Sequence, residues 1–154
     1  MGVEELKSYL ADLGINAEIL EFKEKVKTVD QAAKVLGVTK DQIIKSLMFI
    51  DALGEPVIAI VSGDQKVDNK KLARVIGTIG VRMASAKEVN KYTGYVIGGL
   101  PPIGYKQKIK VVMDEKILEK DFVYGGGGTE NHILKISPKD ILRLTSAVVA
   151  KIGT

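Results

Sequence analysis

Ile43-Ile44-Lys45-Ser46-Leu47-Met48-Phe49-Ile50 is an apolar run broken by one lysine, and after Asp51-Ala52-Leu53-Gly54 and Glu55 a second run, Pro56-Val57-Ile58-Ala59-Ile60-Val61, follows it. The first run is too hydrophobic for a surface loop and too short to span a membrane. Both suit strands, and the segment between them suits a hairpin loop, so together they predict a hairpin inside the core. Strands joined so closely pair antiparallel, which favours an α+β sheet or a distorted barrel over a doubly wound sheet. Side chains alternate along a strand, so Lys45 shares a face with Ile43, Leu47 and Phe49. Two explanations fit a cation in that place. It marks a sheet edge, or lays its stem on the core while its head reaches water. Alternatively, it is a partly desolvated ammonium lining a pocket and holding an anionic or carbonyl group of a ligand.

Outward from the hairpin the elements are mixed. Val3 to Leu13 places Leu6, Leu10 and Leu13 at helical spacing, and Gly14 stops the helix. Ala17 to Phe22 suits a short strand. Thr28 with Gln31 forms a capping box before a helix that Gly37 ends. Beyond the hairpin, Ser62-Gly63-Asp64 is a turn, and Asp68 caps a helix through Ile76. Val81 to Ala84 is a short strand, and Ser85 caps a helix over residues 86–91. Residues 94–106 (GYVIGGLPPIGYK) hold four glycines and a proline pair, which predicts a shaped loop. Ile109 to Asp114 is a strand, Glu115 to Glu119 a helical turn, and Phe122 to Tyr124 a strand running into Gly125-Gly126-Gly127-Gly128. Ile133 to Ile136 is a further strand, and Ser137-Pro138 opens a last helix. Neither a repeat nor a linker interrupts the chain, so residues 1–154 are expected to form one domain.

Composition excludes several kinds of chemistry. The hydrophobic fraction of 45% and charged fraction of 27% are those of a folded globular chain. With no cysteine there is no thiolate nucleophile, disulfide or iron–sulfur cluster, and with His132 as the one histidine there is no multi-histidine metal site. No metal and no cofactor are expected. The acidic, amphipathic N-terminal segment lacks the order of a secretory signal, and Met1-Gly2 lacks the Ser/Thr that completes a myristoylation pattern. A cytoplasmic location without membrane contact is expected. Net charge is +4, compatible with a polyanionic partner, whereas aromatics at 5% offer little platform for stacking bases.

Three features could carry chemistry: Lys45, the loop Gly98-Gly99-Leu100-Pro101-Pro102-Ile103-Gly104, and the tetraglycine with Thr129, Asn131 and His132. Glycines let a backbone approach a ligand, and prolines fix the loop that presents its N–H groups. Each feature also has a plain structural explanation, as a crossover, a hairpin end or a packed histidine. Neither glycine cluster has the order of a nucleotide loop, and no G-x-S-x-G elbow exposes a serine. Lys66, Lys70, Lys71 and Arg74 form one basic group, and Lys106, Lys108 and Lys110 another; if functional, they contact phosphates.

In this order and spacing the segments Thr28-Val29-Asp30-Gln31-Ala32-Ala33-Lys34-Val35-Leu36-Gly37, Ile44-Lys45-Ser46-Leu47, Gly94-Tyr95, Gly98 through Gly104, Val111-Val112-Met113-Asp114 and Ser137 through Thr145 resemble one family over nearly the whole chain. It is the YbaK/ProX family of aminoacyl-tRNA deacylases, which also occurs as the inserted editing domain of bacterial prolyl-tRNA synthetases. The resemblance implies an α+β fold with a mixed, barrel-like sheet surrounded by helices. The activity it implies is trans-editing, the hydrolysis of the ester joining a wrong amino acid, such as cysteine, alanine or another small residue, to a tRNA such as tRNA-Pro. Lys45 matches the family's key lysine. Gly98 and Pro102 match the ends of its G-x-x-x-P loop, Gly126 and Gly128 match the small-residue loop facing the lysine, and Phe22 falls near a pocket tyrosine of some members.

Substrate binding is thereby expected from Phe22, Ser46, Gly98, Gly99, Pro101, Pro102, Gly126, Gly128 and His132, with Lys45 catalytic and tRNA phosphates meeting Lys66, Lys70, Lys71 and Arg74. The implied partners are the 3′-terminal end of an aminoacylated tRNA and, as a second candidate, an aminoacyl-tRNA synthetase. Many members that remove cysteine or alanine carry Thr or Asn where Ser46 stands, and the tetraglycine replaces the serine-bearing loop of the cysteine-specific type. The class is therefore better defined than the amino acid. A non-catalytic tRNA-binding or synthetase-associated module and a small-molecule-binding regulator are the alternatives.

Overall fold

A computed structural model describes all 154 residues. Helix α1 (Val3–Leu13) and strand β1 (Glu18–Glu21) lead into α2 (Val29–Leu36), a 3₁₀ turn over Lys40–Gln42, and the hairpin strands β2 (Ile44–Asp51) and β3 (Pro56–Ser62). After these come α3 (Asn69–Ile76), β4 (Val81–Met83), α4 (Ala86–Thr93) and β5 (Lys110–Asp114). A second 3₁₀ segment, Glu115–Glu119, precedes β6 (Val123–Gly126), β7 (His132–Ile136), α5 (Pro138–Thr145) and β8 (Val148–Ala150). The expected elements form, and their caps are those predicted. Thr28 accepts from the Gln31 amide at 3.1 Å, and Asp68 accepts from the Lys70 and Lys71 amides at 3.0 and 3.1 Å. The 94–106 loop carries no regular structure. Strand β8 and the 3₁₀ turn over Lys40–Gln42 are additions; the three residues Val148-Val149-Ala150 are too short a run to signal a strand.

The sheet is mixed, but the expected barrel does not form. The strands make two open sheets, one of order β4-β2-β3-β5-β8 and one of order β1-β7-β6. Strand β2 pairs antiparallel with β3 and β4, while β3–β5 and β5–β8 are parallel. Closure would need the outer strands to reach the second sheet, and both β4 and β8 are only three residues long. An isolated parallel bridge between Ile43 and Tyr124 joins the two sheets at the start of β2.

Alternation along the central strands divides the core. Ile44, Met48, Ile50, Ile58, Ile60, Val111 and Met113 point to the face covered by Leu6 and Leu10 of α1 and Val89 of α4. Phe49, Val57, Ala59, Val61 and Val112 point to the other, against Leu72 of α3 and Ile152. Central strand β3 is buried on both faces, which is why its sequence is continuously apolar rather than alternating. Lys45 pairs with Val61 and belongs to the second face, at the end of β2 beyond its last apolar neighbours. No helix is long and apolar enough to cross a membrane.

At the end of β5, Asp114 is 1% exposed and its carboxylate is fully used. One oxygen accepts from the Ile152 and Gly153 amides at 3.0 and 2.7 Å, the other from the Lys116 amide at 3.0 Å and the Gln65 side chain at 3.4 Å. Burial pushes this carboxyl up, but the amides of Lys116, Gly153 and Ile152 outweigh it and hold the group below the usual carboxylate value. Its contribution is therefore complete above an unfolded value of about 3.9 and is lost as pH falls through the lower folded one. Asp114→Asn should cost about 2 kcal/mol in urea unfolding at pH 7, with the gap to wild type narrowing when the same titration is run below about pH 4.

Candidate functional site

A cavity of about 400 Å³ opens where the two sheets meet. Its walls come from four places: residues 26–29 leading into α2 with Ala32 in it, Ile43 and residues 44–47 of β2, Ile97, Gly98 and Leu100 of the shaped loop, and residues 124–126 with Ile133 from β6 and β7. Strand β4 pairs only with Phe49, Ile50 and Asp51, so beside Lys45 and Ser46 that edge of β2 has no strand on it. The cavity occupies the gap. Lys45 is thus on an interior strand, at the half of it that is left open.

Lys45 is half-buried, and its Nζ donates to the main-chain carbonyl of Gln65. Burial lowers its pKa, the nearby Asp64 carboxylate works in the opposite direction, and Lys66 adds to the lowering. Asp64 does not pair with it directly. That carboxylate is 2.8 Å from Lys116 Nζ and 2.6 Å from the Ser62 hydroxyl, and these two partners hold it below its ordinary value. Next to Lys45 in sequence but on the other face of β2, the Ser46 hydroxyl oxygen is buried with no hydrogen-bond partner, the one such side-chain atom in the molecule. No aspartate, glutamate or histidine lines the cavity.

The two glycine loops form one wall by packing backbone against backbone. A Cβ on Gly126 would lie 2.2 Å from the Leu100 carbonyl oxygen, and one on Gly99 would lie 2.8 Å from main-chain atoms of Gly128 and Thr129. The Gly128 amide donates to the Gly99 carbonyl at 2.8 Å. Only glycine permits this approach. Two tyrosines brace the shaped loop: Tyr95 donates to the Gly104 carbonyl at 2.9 Å and Tyr105 to that of Pro101 at 2.7 Å. Burial pushes the Tyr95 phenol up to about 12, so it remains a donor.

Of the residues singled out in the sequence, Lys45, Ser46, Gly98 and Gly126 line the cavity. Gly99, Pro101, Pro102 and Gly128 are buried behind its wall and shape it. Phe22 does not reach the cavity but packs against the cluster of Val26, Ala32, Ile43 and Ile133 beneath it. His132 also lies outside, with Nδ1 2.5 Å from Thr129 Oγ1 and Nε2 3.7 Å from Glu21, so it ties the end of the tetraglycine hairpin to β1. Lys66, Lys70 and Arg74 are exposed and Lys71 is half-buried, all outside the cavity on the α3 side of the sheet. Lys106, Lys108 and Lys110 are exposed. Not singled out in advance were the wall residues Val26, Lys27, Ile97 and Tyr124, and Gln65 behind the lysine. The segment starting at Thr28 was visible as a helix start, but nothing in it reports that it faces β6.

Residues 23–144 match the family model described as the aminoacyl-tRNA editing domain. The chain is 32% identical over 127 residues to a candidate Cys-tRNA(Pro)/Cys-tRNA(Cys) deacylase, EbsC, of Enterococcus faecalis, covering 82% of this chain and 77% of that one. It is 34% identical over 111 residues to the proline–tRNA ligase of Maridesulfovibrio salexigens, covering 71% of this chain and 19% of the ligase. A crystal structure of a candidate trans-editing enzyme for prolyl tRNA synthetase superimposes with a TM-score of 0.90 at 31% identity, covering 99% of this chain and 96% of that one. By the extent of the family match and the agreement of the whole fold, this chain belongs to the aminoacyl-tRNA editing domain family.

Proposed function

We propose that this protein is a trans-editing deacylase that hydrolyses the ester between a small, uncharged amino acid and the 3′-terminal ribose of a tRNA, with Lys45 as its catalytic residue. The observation that carries this is the half-buried Lys45 ammonium and, on the opposite face of β2, the unpartnered Ser46 hydroxyl, both on the wall of a cavity closed by two interlocked glycine loops. Water attacks the ester carbonyl, negative charge develops on the carbonyl oxygen, and the C–O bond breaks to release the amino acid and a ribose hydroxyl. A fixed cation is worth most where that charge appears in a partly desolvated site. With no acidic or imidazole side chain on the wall, the attacking water passes its proton to substrate or solvent. Positioning and charge stabilisation supply the catalysis. The Ser46 hydroxyl and the Gly98–Leu100 segment hold the amino group or carbonyl.

Val26, Val29, Ala32, Ile43 and Ile133 give the inner wall an apolar surface. A cationic side chain finds no carboxylate there, and a bulky one finds no room beside the terminal ribose. Exclusion by size is the effective part of such a filter. Lys66, Lys70, Lys71 and Arg74 lie on the α3 side of the sheet, the side that Lys45 faces, and are assigned to tRNA phosphates. A synthetase that supplies the mischarged tRNA is the second partner.

Incubated with Cys-tRNA-Pro, Ala-tRNA-Pro and further mischarged tRNAs, the protein should release the amino acid from at least one, and Lys45→Ala should lose about 100-fold in kcat/KM on it. Tight tRNA binding with no release by wild type would favour the non-catalytic module instead. Gly126→Ala, which must displace the Leu100 carbonyl, should lower kcat by about tenfold or more while leaving a folded protein by circular dichroism. Lys70→Glu combined with Arg74→Glu should raise KM several-fold with kcat unchanged, and should flatten the dependence of KM on salt by roughly one unit of slope per lost contact.

A further inference from the structure

The partner of the Lys45 ammonium is a neutral carbonyl, although a carboxylate is close at hand. Asp64, adjacent to Gln65 in the chain, is already occupied by Lys116 and Ser62. An ion pair would fix the lysine but offset its charge. A single carbonyl fixes it, leaves the charge intact, and takes one of three N–H donors.

That carbonyl belongs to a loop tied down on every side. Its N-terminal end is held by the Gly63 amide donating to the Ile43 carbonyl at 2.7 Å, and a Cβ on Gly63 would lie 2.4 Å from the Lys40 carbonyl oxygen. The C-terminal end pairs with residues 152–154: Lys66 and Thr154 exchange amide–carbonyl bonds at 3.2 and 2.9 Å, and Asp68 donates to the Ile152 carbonyl at 2.7 Å. Between them the Gln65 side chain spans the gap. Its Oε1 accepts from the Ser62 amide at 3.2 Å and lies 2.9 Å from the Ser62 hydroxyl, while its Nε2 donates to the buried Asp114 carboxylate at 3.4 Å. A Cβ on Gly153 would lie 2.5 Å from that Nε2, so the amide rests on bare backbone.

We infer that Gln65, anchored on Asp114, is a positioning residue for Lys45. Its side chain, together with the Lys66–Thr154 pairing on the same peptide unit, fixes the direction of its own carbonyl, the carbonyl fixes the ammonium, and the two remaining N–H groups are left for the ester oxygen. This rests on the deacylase reading for its consequence in turnover, but the order it imposes on Lys45 exists without substrate. Gln65 is half-exposed, so shortening it leaves the core intact.

The test compares wild type with Gln65→Ala in two measurements. On a mischarged tRNA that wild type hydrolyses, Gln65→Ala should lower kcat about tenfold with KM within about twofold, because a displaced cation costs the transition state more than the ground state. In protein labelled at lysine, with the Lys45 signals assigned by their loss in Lys45→Ala, the terminal methylene of Lys45 should be ordered in wild type and mobile in Gln65→Ala. A Lys45 signal equally ordered in both proteins overturns the inference, as does an unchanged kcat in an active enzyme. If wild type releases no amino acid from any tRNA, the deacylase reading and the predicted effect on turnover fall together, and the lysine order still decides whether Gln65 positions Lys45.

Discussion

At Ile43 the chain touches Tyr124 of the three-stranded sheet, and two residues later Lys45 is paired with Val61 of the five-stranded one. One stretch of backbone thus serves two sheets that share a core but no other strand pairing. The open edge between them is the space for a ligand, walled by strand residues set in register on one side and by the glycine loops on the other. Lys120 and Asp41, 2.7 Å apart, pin the segment leading into β6 to the turn leading into β2. The carboxylate is drawn down to about 2, by Lys120 first and Thr39 second. The seam is held together by polar contact at its rim and by Ile43, Ile133, Val26 and Ala32 beneath.

Much of this was legible in the residues. The two apolar runs around Asp51–Gly54 gave the hairpin because each has the length and patterning of a strand, and capping residues such as Thr28, Asp68 and Ser85 placed helix starts to the residue. Lys45 stood out because a charge inside an apolar run is a local conflict, and such conflicts gather at functional sites. What stayed hidden was everything decided by distant pairing. Nothing near Ile43 announces Tyr124, so two open sheets could not be told from a barrel. Nothing in Gln65, a polar residue in a polar turn, reports that its carbonyl meets the lysine. His132 was drawn toward the site by its chemistry and Phe22 by the family resemblance, yet His132 turns to Thr129, and Phe22, just past the end of β1, packs under the cavity floor.

The glycines belong to packing as much as to binding. Gly99, Gly126 and Gly128 let two loops approach until main chain meets main chain, which makes the wall thin and rigid together. Where that wall is main chain against main chain, it has no side chain that could repack to admit a larger guest. It therefore suits a site whose selectivity comes from refusing.

The order of pairing along the chain has a kinetic side. The clamp on Lys45 joins residues 62–68 to Asp114 and to residues 152–154, through two parallel strand pairings that close long stretches of chain. Contacts so distant in sequence form late, since their loop-closure entropy must be met before they stabilise anything. The hairpin that carries Lys45 is local in sequence, whereas the loop whose carbonyl aims it is held by these distant pairings.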